Sequence, residues 1–78
     1  KYIAVYWAKS GVRANMMGLG GVFNKQDNKF MEGYCAKVPM GRMAKEDEYN
    51  GTVVYLMSDA ASYVTGTTIM LDGGWTAW

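Results

Sequence analysis

The chain has 78 residues, half of them apolar and 14% aromatic, with 8 Lys+Arg against 7 Asp+Glu and a net charge of +1. It is too hydrophobic for a disordered tail and too short for more than one domain, and its balanced charge supplies no basic face for nucleic acid or an anionic membrane. One cysteine cannot close an internal disulfide, the lack of histidine excludes Ser-His-Asp triads and His-ligated zinc, and no apolar run reaches the ~20 residues of a bilayer span.

Residues 1–9 read as a helix with Ile3, Tyr6 and Trp7 on one face. It opens with no initiator Met, no secretory signal and no Ser, Thr, Asp or Asn cap, which reads as the second half of a longer helix and the chain as a fragment. Ser10-Gly11 ends it, Gly11 suiting the left-handed C′ position. Residues 12–21 read as a short buried strand, Val12 to Met17, and a turn with three glycines between Gly18 and Gly21. Read as a dinucleotide fingerprint, Gly18-x-Gly20 fails, because position 23 is Phe.

Phe30, Met31, Tyr34, Cys35 and Val38 draw an apolar stripe on a helix that Pro39 stops. The stripe suits either packing on its own core or the wall of a pocket. Cys35 within it reads as a buried structural thiol, and Asp27 as loop solvation. Arg42 is expected to pair with an acid such as Glu48, the other reading being a contact to a substrate carboxylate or phosphate.

The spacing predicts a further helix over 45–58, with Glu46, Asp47 and Glu48 at the positive end of its dipole. Tyr49, Val53, Leu56 and Met57 form one apolar face of it; Val54 and Tyr55 form a second, which asks for a second partner. Thr65-Gly66 is a turn, residues 67–71 are a β-branched strand, and Asp72 caps the turn with Gly73 and Gly74. The order is helix, strand, helix, helix, strand. The long helical connection between the strands fits a parallel βαβ crossover rather than a hairpin. Two strands make a poor sheet alone, so partners are expected.

Gly11-Val12-Arg13-Ala14-Asn15, the Gly18–Gly21 turn, Gly41-Arg42-Met43, Ser58 to Gly66 (SDAASYVTG) and Asp72-Gly73-Gly74-Trp75 form an ordered set. Together they resemble the C-terminal third of the short-chain dehydrogenase/reductase family. The resemblance covers essentially all 78 residues. It implies an α/β fold: the C-terminal βαβ piece of a doubly wound parallel Rossmann sheet. It also implies an NAD(P)-dependent oxidoreductase transferring hydride between nicotinamide and a secondary alcohol or ketone. Residues 1–9 would then be the tail of the helix bearing the family's Tyr-x-x-x-Lys motif. No tyrosine here is followed four residues later by lysine, so catalytic groups are expected upstream and the 78 residues alone are expected to be inactive.

The family's Asn-x-x-x-Pro-Gly-x-Val/Ile-x-Thr stretch lines the nicotinamide end of the cofactor. Here Asn15, Gly20 and Val22 match, Leu19 replaces the Pro, and Asn24 replaces the Thr. The resemblance thus implies cofactor contacts, to NAD or NADP, at Gly20, Gly21, Val22 and Asn24; a plain βα turn is the bland alternative. Residues 22–43 match the substrate-lid region, with Phe23, Phe30, Met31 and Tyr34 as its wall. No metal ligands are assigned. The partners implied are a small alcohol or ketone substrate and further copies of the chain in a dimer or tetramer, packed through Val54, Tyr55 and the Trp75 and Trp78 tail, with neither nucleic acid nor membrane. The expected location is cytoplasmic. A rival reading is a naturally short, non-catalytic βαβ interaction module.

Overall fold

A computed structural model describes residues 1–22 and 27–77 of the chain. Two short strands, β1 (Met16–Leu19) and β2 (Thr68–Leu71), are hydrogen-bonded neighbours. The Met16 N–H donates to the Thr67 carbonyl at 2.9 Å and the Gly20 N–H to the Leu71 carbonyl at 3.0 Å. The offset between the partners is the same at both ends, which is the register of a parallel pair; in an antiparallel pair the partner numbers would run in opposite directions. The helices α2 (Asn28–Lys37) and α3 (Asn50–Met57) lie between the two strands in sequence, and α1 (Tyr2–Trp7) precedes both. The chain is therefore an α/β βαβ unit. No described helix is long and apolar enough to cross a membrane.

Contacts divide the chain into two units, Lys1–Met17 with Tyr49–Ile69 and Gly18–Glu48 with Met70–Trp78. In the first unit, α1 tightens into a 3-10 turn at Ala8–Ser10, and Gly11 follows at φ 81°, where its N–H reaches the Ala8 carbonyl. The left-handed backbone that ends the helix is one glycine adopts without a Cβ clash. The small residues Ala4 and Ala61 are fully buried. The apolar face of α1 is left uncovered: Ile3, Tyr6 and Trp7 are exposed at 59%, 65% and 46%. The side of α1 that meets its own unit carries Ala4, whose methyl would touch a Cβ at Gly66. Close approach selected the small residue and left the large ones outside.

The strand starts at Met16, four residues beyond Val12, where the apolar pattern begins. Side chains explain the difference. The Arg13 guanidinium donates to the Leu56 carbonyl at 2.8 Å and to the Val64 carbonyl at 3.2 Å. Leu56 lies in the last turn of α3, where carbonyls have no partner within the helix, so Arg13 caps that end. Asn15 donates to the Val64 carbonyl and accepts from the Thr67 N–H, while the Ala14 N–H reaches the Thr65 hydroxyl. Residues 13–15 thus hold the loop that follows α3 through side-chain bonds and one backbone bond, from the Gly66 N–H to the Ala14 carbonyl at 2.9 Å, and the strand itself begins only after them.

α3 itself starts at Asn50, not Lys45, and has no acid in its first turn. Glu46, Asp47 and Glu48 lie in a turn before it. That unit-one helix keeps Val54 and Met57 exposed at 67% and 80%, and Leu56 half-buried.

In the second unit, α2 begins at an Asp27 cap whose carboxylate accepts the N–H groups of Lys29 at 2.7 Å and Phe30 at 3.1 Å. Asp27 is a helix cap and not a solvated loop residue; the side-chain acceptor satisfies two N–H groups the first turn cannot. The helix ends at Lys37, Val38 turns extended before Pro39, and Val38 and Met43 are buried. Cys35 is a free thiol, half-buried rather than fully covered.

Replacing Arg13 tests the first unit. Arg13→Ala strands the Leu56 carbonyl, leaves the Val64 carbonyl to Asn15 alone and removes two charge-assisted bonds, and is expected to cost about 2–3 kcal/mol in chemical denaturation of the native protein. Arg13→Lys, a point donor without the planar fork, is expected to recover less than half of the loss.

Candidate functional site

In the second unit two turns leave the carboxyl ends of the strands, residues 20–22 after β1 and residues 72–74 after β2. The first is held through its backbone. The Gly20 N–H donates to the Leu71 carbonyl, the Gly21 N–H to the Tyr34 hydroxyl at 2.5 Å, and the Gly21 carbonyl accepts from the Ala44 N–H at 2.9 Å. Val22 and Ala44 form an isolated parallel bridge. A Cβ at Gly20 would lie 2.8 Å from the Asp72 Cα, and one at Gly21 would lie 2.7 Å from the Tyr34 ring. Both glycines are therefore required by the chain's own packing. Gly18 belongs to β1 rather than to the turn, and none of Gly18, Gly20 and Gly21 has a positive φ.

The second turn is built around Asp72. Its carboxylate accepts the Gly74 N–H on one oxygen, and the Thr76 N–H and hydroxyl on the other, the hydroxyl at 2.7 Å. The Thr76 hydroxyl, with the two N–H groups, holds this carboxyl below its ordinary range. Gly73 and Gly74 take φ 64° and 96°, and the Gly73 carbonyl accepts the Met40 N–H. The turn ends in a short 3-10 segment, Trp75–Ala77.

α2 brings an aromatic row to these turns. The Tyr34 ring stacks on Trp75 at 5.2 Å and on Phe30 at 6.3 Å. Met31, on the same helix, is half-buried. Gly20, Gly21, Val22, Tyr34 and Phe30 thus form one cluster, while Phe23 and Asn24 lie outside the described residues. The stripe on α2 and the glycine turn were both visible in the sequence. Their bond was not, because no periodicity links residue 21 to residue 34. Trp75 enters the cluster as a stacking partner of Tyr34, a role its position near the C-terminus does not signal.

Arg42 pairs with Glu48 through two parallel bonds, Nη1 to Oε1 at 2.5 Å and Nη2 to Oε2 at 3.0 Å, and Glu48 Oε1 also accepts the Lys45 N–H at 2.9 Å. Of the two readings of Arg42, the ion pair holds. The Arg42 guanidinium, followed by the Lys45 N–H, pulls the Glu48 carboxyl down to about 2 from an ordinary 4.5, and the hydrogen bond to Glu48 pushes Arg42 up. No group of three His, Cys, Asp or Glu among the described residues could hold a metal ion.

A family model described as enoyl-(acyl carrier protein) reductase matches residues 1–76. The chain belongs to the short-chain dehydrogenase/reductase family. A tropinone reductase homolog of Arabidopsis thaliana is 40% identical over 80 residues, covering 95% of this chain and 30% of the relative. The NADH-dependent L-xylulose reductase of Ambrosiozyma monospora is 35% identical over 86 residues, covering all of this chain and 32% of that protein. Among solved structures, a short-chain dehydrogenase of Leptospira borgpetersenii with bound NAD+ superimposes with a TM-score of 0.91 at 40% identity, over 96% of this chain and 30% of that one. The chain thus spans about 30% of the length of its short-chain dehydrogenase/reductase relatives, and its fold is a piece of their Rossmann architecture.

Two substitutions probe the site. Gly20→Ala sets a methyl against the Asp72 backbone, which cannot swing aside, and is expected to cost about 1–3 kcal/mol in denaturation of the native protein. Glu48 has a lowered folded pKa, so its contribution to stability is complete above 4.5 and is lost as the pH falls toward about 2. In paired melts, Glu48→Gln is expected to be less stable than the parent at neutral pH, with the gap closing over that acid window.

Proposed function

We propose that these residues act within an NAD(P)-dependent oxidoreductase that moves hydride between nicotinamide and a secondary alcohol or ketone. The observation that carries this reading is the pair of turns at the carboxyl ends of two parallel strands, residues 20–22 and 72–74, the edge of an open α/β sheet where ligands bind. Polyols and ketoses are the favoured substrates, since relatives include an L-xylulose reductase and a D-arabinitol 2-dehydrogenase.

The residues fit a flat, amide-bearing ring. The glycine turn presents peptide groups rather than bulky side chains, and α2 of the same unit adds Phe30, Met31 and Tyr34. The N–H groups of Gly20 and Gly21 already serve the chain itself. These two glycines therefore contribute by their smallness, and the polar contacts to the carboxamide are assigned to Val22 and Asn24 on the family pattern alone. When bound, the dinucleotide supplies or accepts the hydride. Phe23, Phe30, Met31 and Tyr34 act as the lid that excludes water and presses the substrate toward the ring. Arg42 is committed to Glu48 and takes no part in anion binding.

Proton transfer in this chemistry needs a phenol beside a lysine. No tyrosine of the 78 residues has a lysine four positions on, so this segment binds and covers while residues outside it transfer the proton. The exposed Val54 and Met57 of α3 and the exposed face of α1 are assigned to packing against further protein, a second subunit among it.

The reading is tested by titrating the native polypeptide with NADH and NADPH and assaying reduction of small ketoses. Dinucleotide binding with ketose-dependent oxidation of one of the two is expected, and the 78 residues expressed alone are expected to show no turnover. A native polypeptide that binds neither dinucleotide overturns it.

A further inference from the structure

The Tyr34 hydroxyl belongs to α2, yet its hydrogen bond goes to the glycine turn. It accepts the Gly21 N–H at 2.5 Å, and the other side of the same residue, the Gly21 carbonyl, accepts the Ala44 N–H at 2.9 Å. Both peptide planes flanking Gly21 are therefore pinned. In a trans peptide the C=O and N–H point in opposite directions, so fixing the Gly21 carbonyl toward Ala44 aims the Val22 N–H the other way. A glycine pair without such pins would sample a wide range of backbone angles. The family motif restricts this turn with a proline, for which this chain has Leu19. The phenol and Ala44 supply the restriction from outside the turn.

The ring that carries the hydroxyl is itself held. Trp75 stacks on it at 5.2 Å and Phe30 at 6.3 Å, and the missing Cβ of Gly21 is what lets the ring come so close. One side chain thus joins three segments of the second unit: the lid helix, the glycine turn and the turn after β2.

We propose that Tyr34 is a positioning residue which latches α2 to the glycine turn, so that the place of the lid helix sets the direction of the Val22 peptide that meets the nicotinamide. The cofactor half of this rests on the function proposed above; the latch does not. Seating α2 over a substrate firms the turn, and releasing α2 frees it, which couples substrate closure to cofactor affinity through a single hydrogen bond. The coupling is modest by nature, since one bond to a backbone N–H is worth about a three- to tenfold change in an equilibrium constant.

The test uses the native polypeptide and Tyr34→Phe, which keeps the stacked ring and deletes the acceptor. Amide hydrogen exchange at Gly21, measured without cofactor, is expected to quicken about three- to tenfold, and the KM for the dinucleotide to rise by a similar factor. The rise in KM for the dinucleotide is expected to exceed any fall in kcat, the split that a bond acting through the cofactor's turn produces. Trp75→Leu, made at a half-exposed ring, is expected to move exchange and KM the same way by less, and stands in if Tyr34→Phe does not fold. Unchanged Gly21 exchange overturns the latch. Faster exchange with an unchanged KM overturns the coupling. If the parent polypeptide binds no dinucleotide, the proposed function and with it the coupling fall, while the exchange comparison still decides the latch.

Discussion

The carboxyl ends of the two strands come together because position 20 carries no side chain. The Gly20 N–H reaches the Leu71 carbonyl, and the space where a Cβ would stand is filled by the Asp72 backbone. The turn after β2 then depends on the same contact. Asp72, one residue beyond Leu71, folds its carboxylate back onto Gly74 and Thr76, and Trp75 is carried to the Tyr34 ring. A larger residue at 20 would push the two turns apart before any ligand could use them. The geometry to which we assign a flat ring is thus first a solution to a packing problem within the chain.

Elsewhere the structure relies on side chains where regular hydrogen bonding stops. Arg13 closes the open end of α3, Asn15 and Thr65 bridge the loop to the start of β1, Asp27 opens α2, and Glu48 joins Arg42 to the Lys45 backbone. Short elements need this. A helix of eight residues or a strand of four has nearly as many terminal backbone groups as internal ones, and each terminal group requires a partner from somewhere.

Much of this was legible in the residues. Gly11 and Gly66 mark positions of positive φ, Pro39 ends a helix, Asp72 before two glycines announces a carboxylate-capped turn, and Arg42 has its acid six residues on. Each is a local rule acting over a few positions. What escaped was set by distant neighbours. Val12–Met17 has the pattern of a strand, but Arg13 and Asn15 are drawn to carbonyls some fifty residues away, and pairing starts late. The acids at 46–48 look like a helix start, yet Glu48 is taken by Arg42 and α3 begins beyond them. On α1 the periodic apolar face stays exposed, and contact with Gly66 falls instead to Ala4. The proposed site divides the same way: the glycines and the aromatic stripe were visible singly, and the Tyr34–Gly21 bond that joins them was not.

The two arginines do unlike work, and the solvent can tell them apart. Arg42 faces a carboxylate at the surface, an attraction that dissolved ions screen and acid removes. Arg13 faces carbonyl dipoles, which carry no charge to titrate and attract no counter-ion cloud. Concentrated salt, or acid strong enough to protonate Glu48 at about pH 2, therefore slackens the Arg42–Glu48 pair while leaving the Arg13 clasp on α3 fastened. One unit thus carries a salt-sensitive knot and the other a salt-indifferent one.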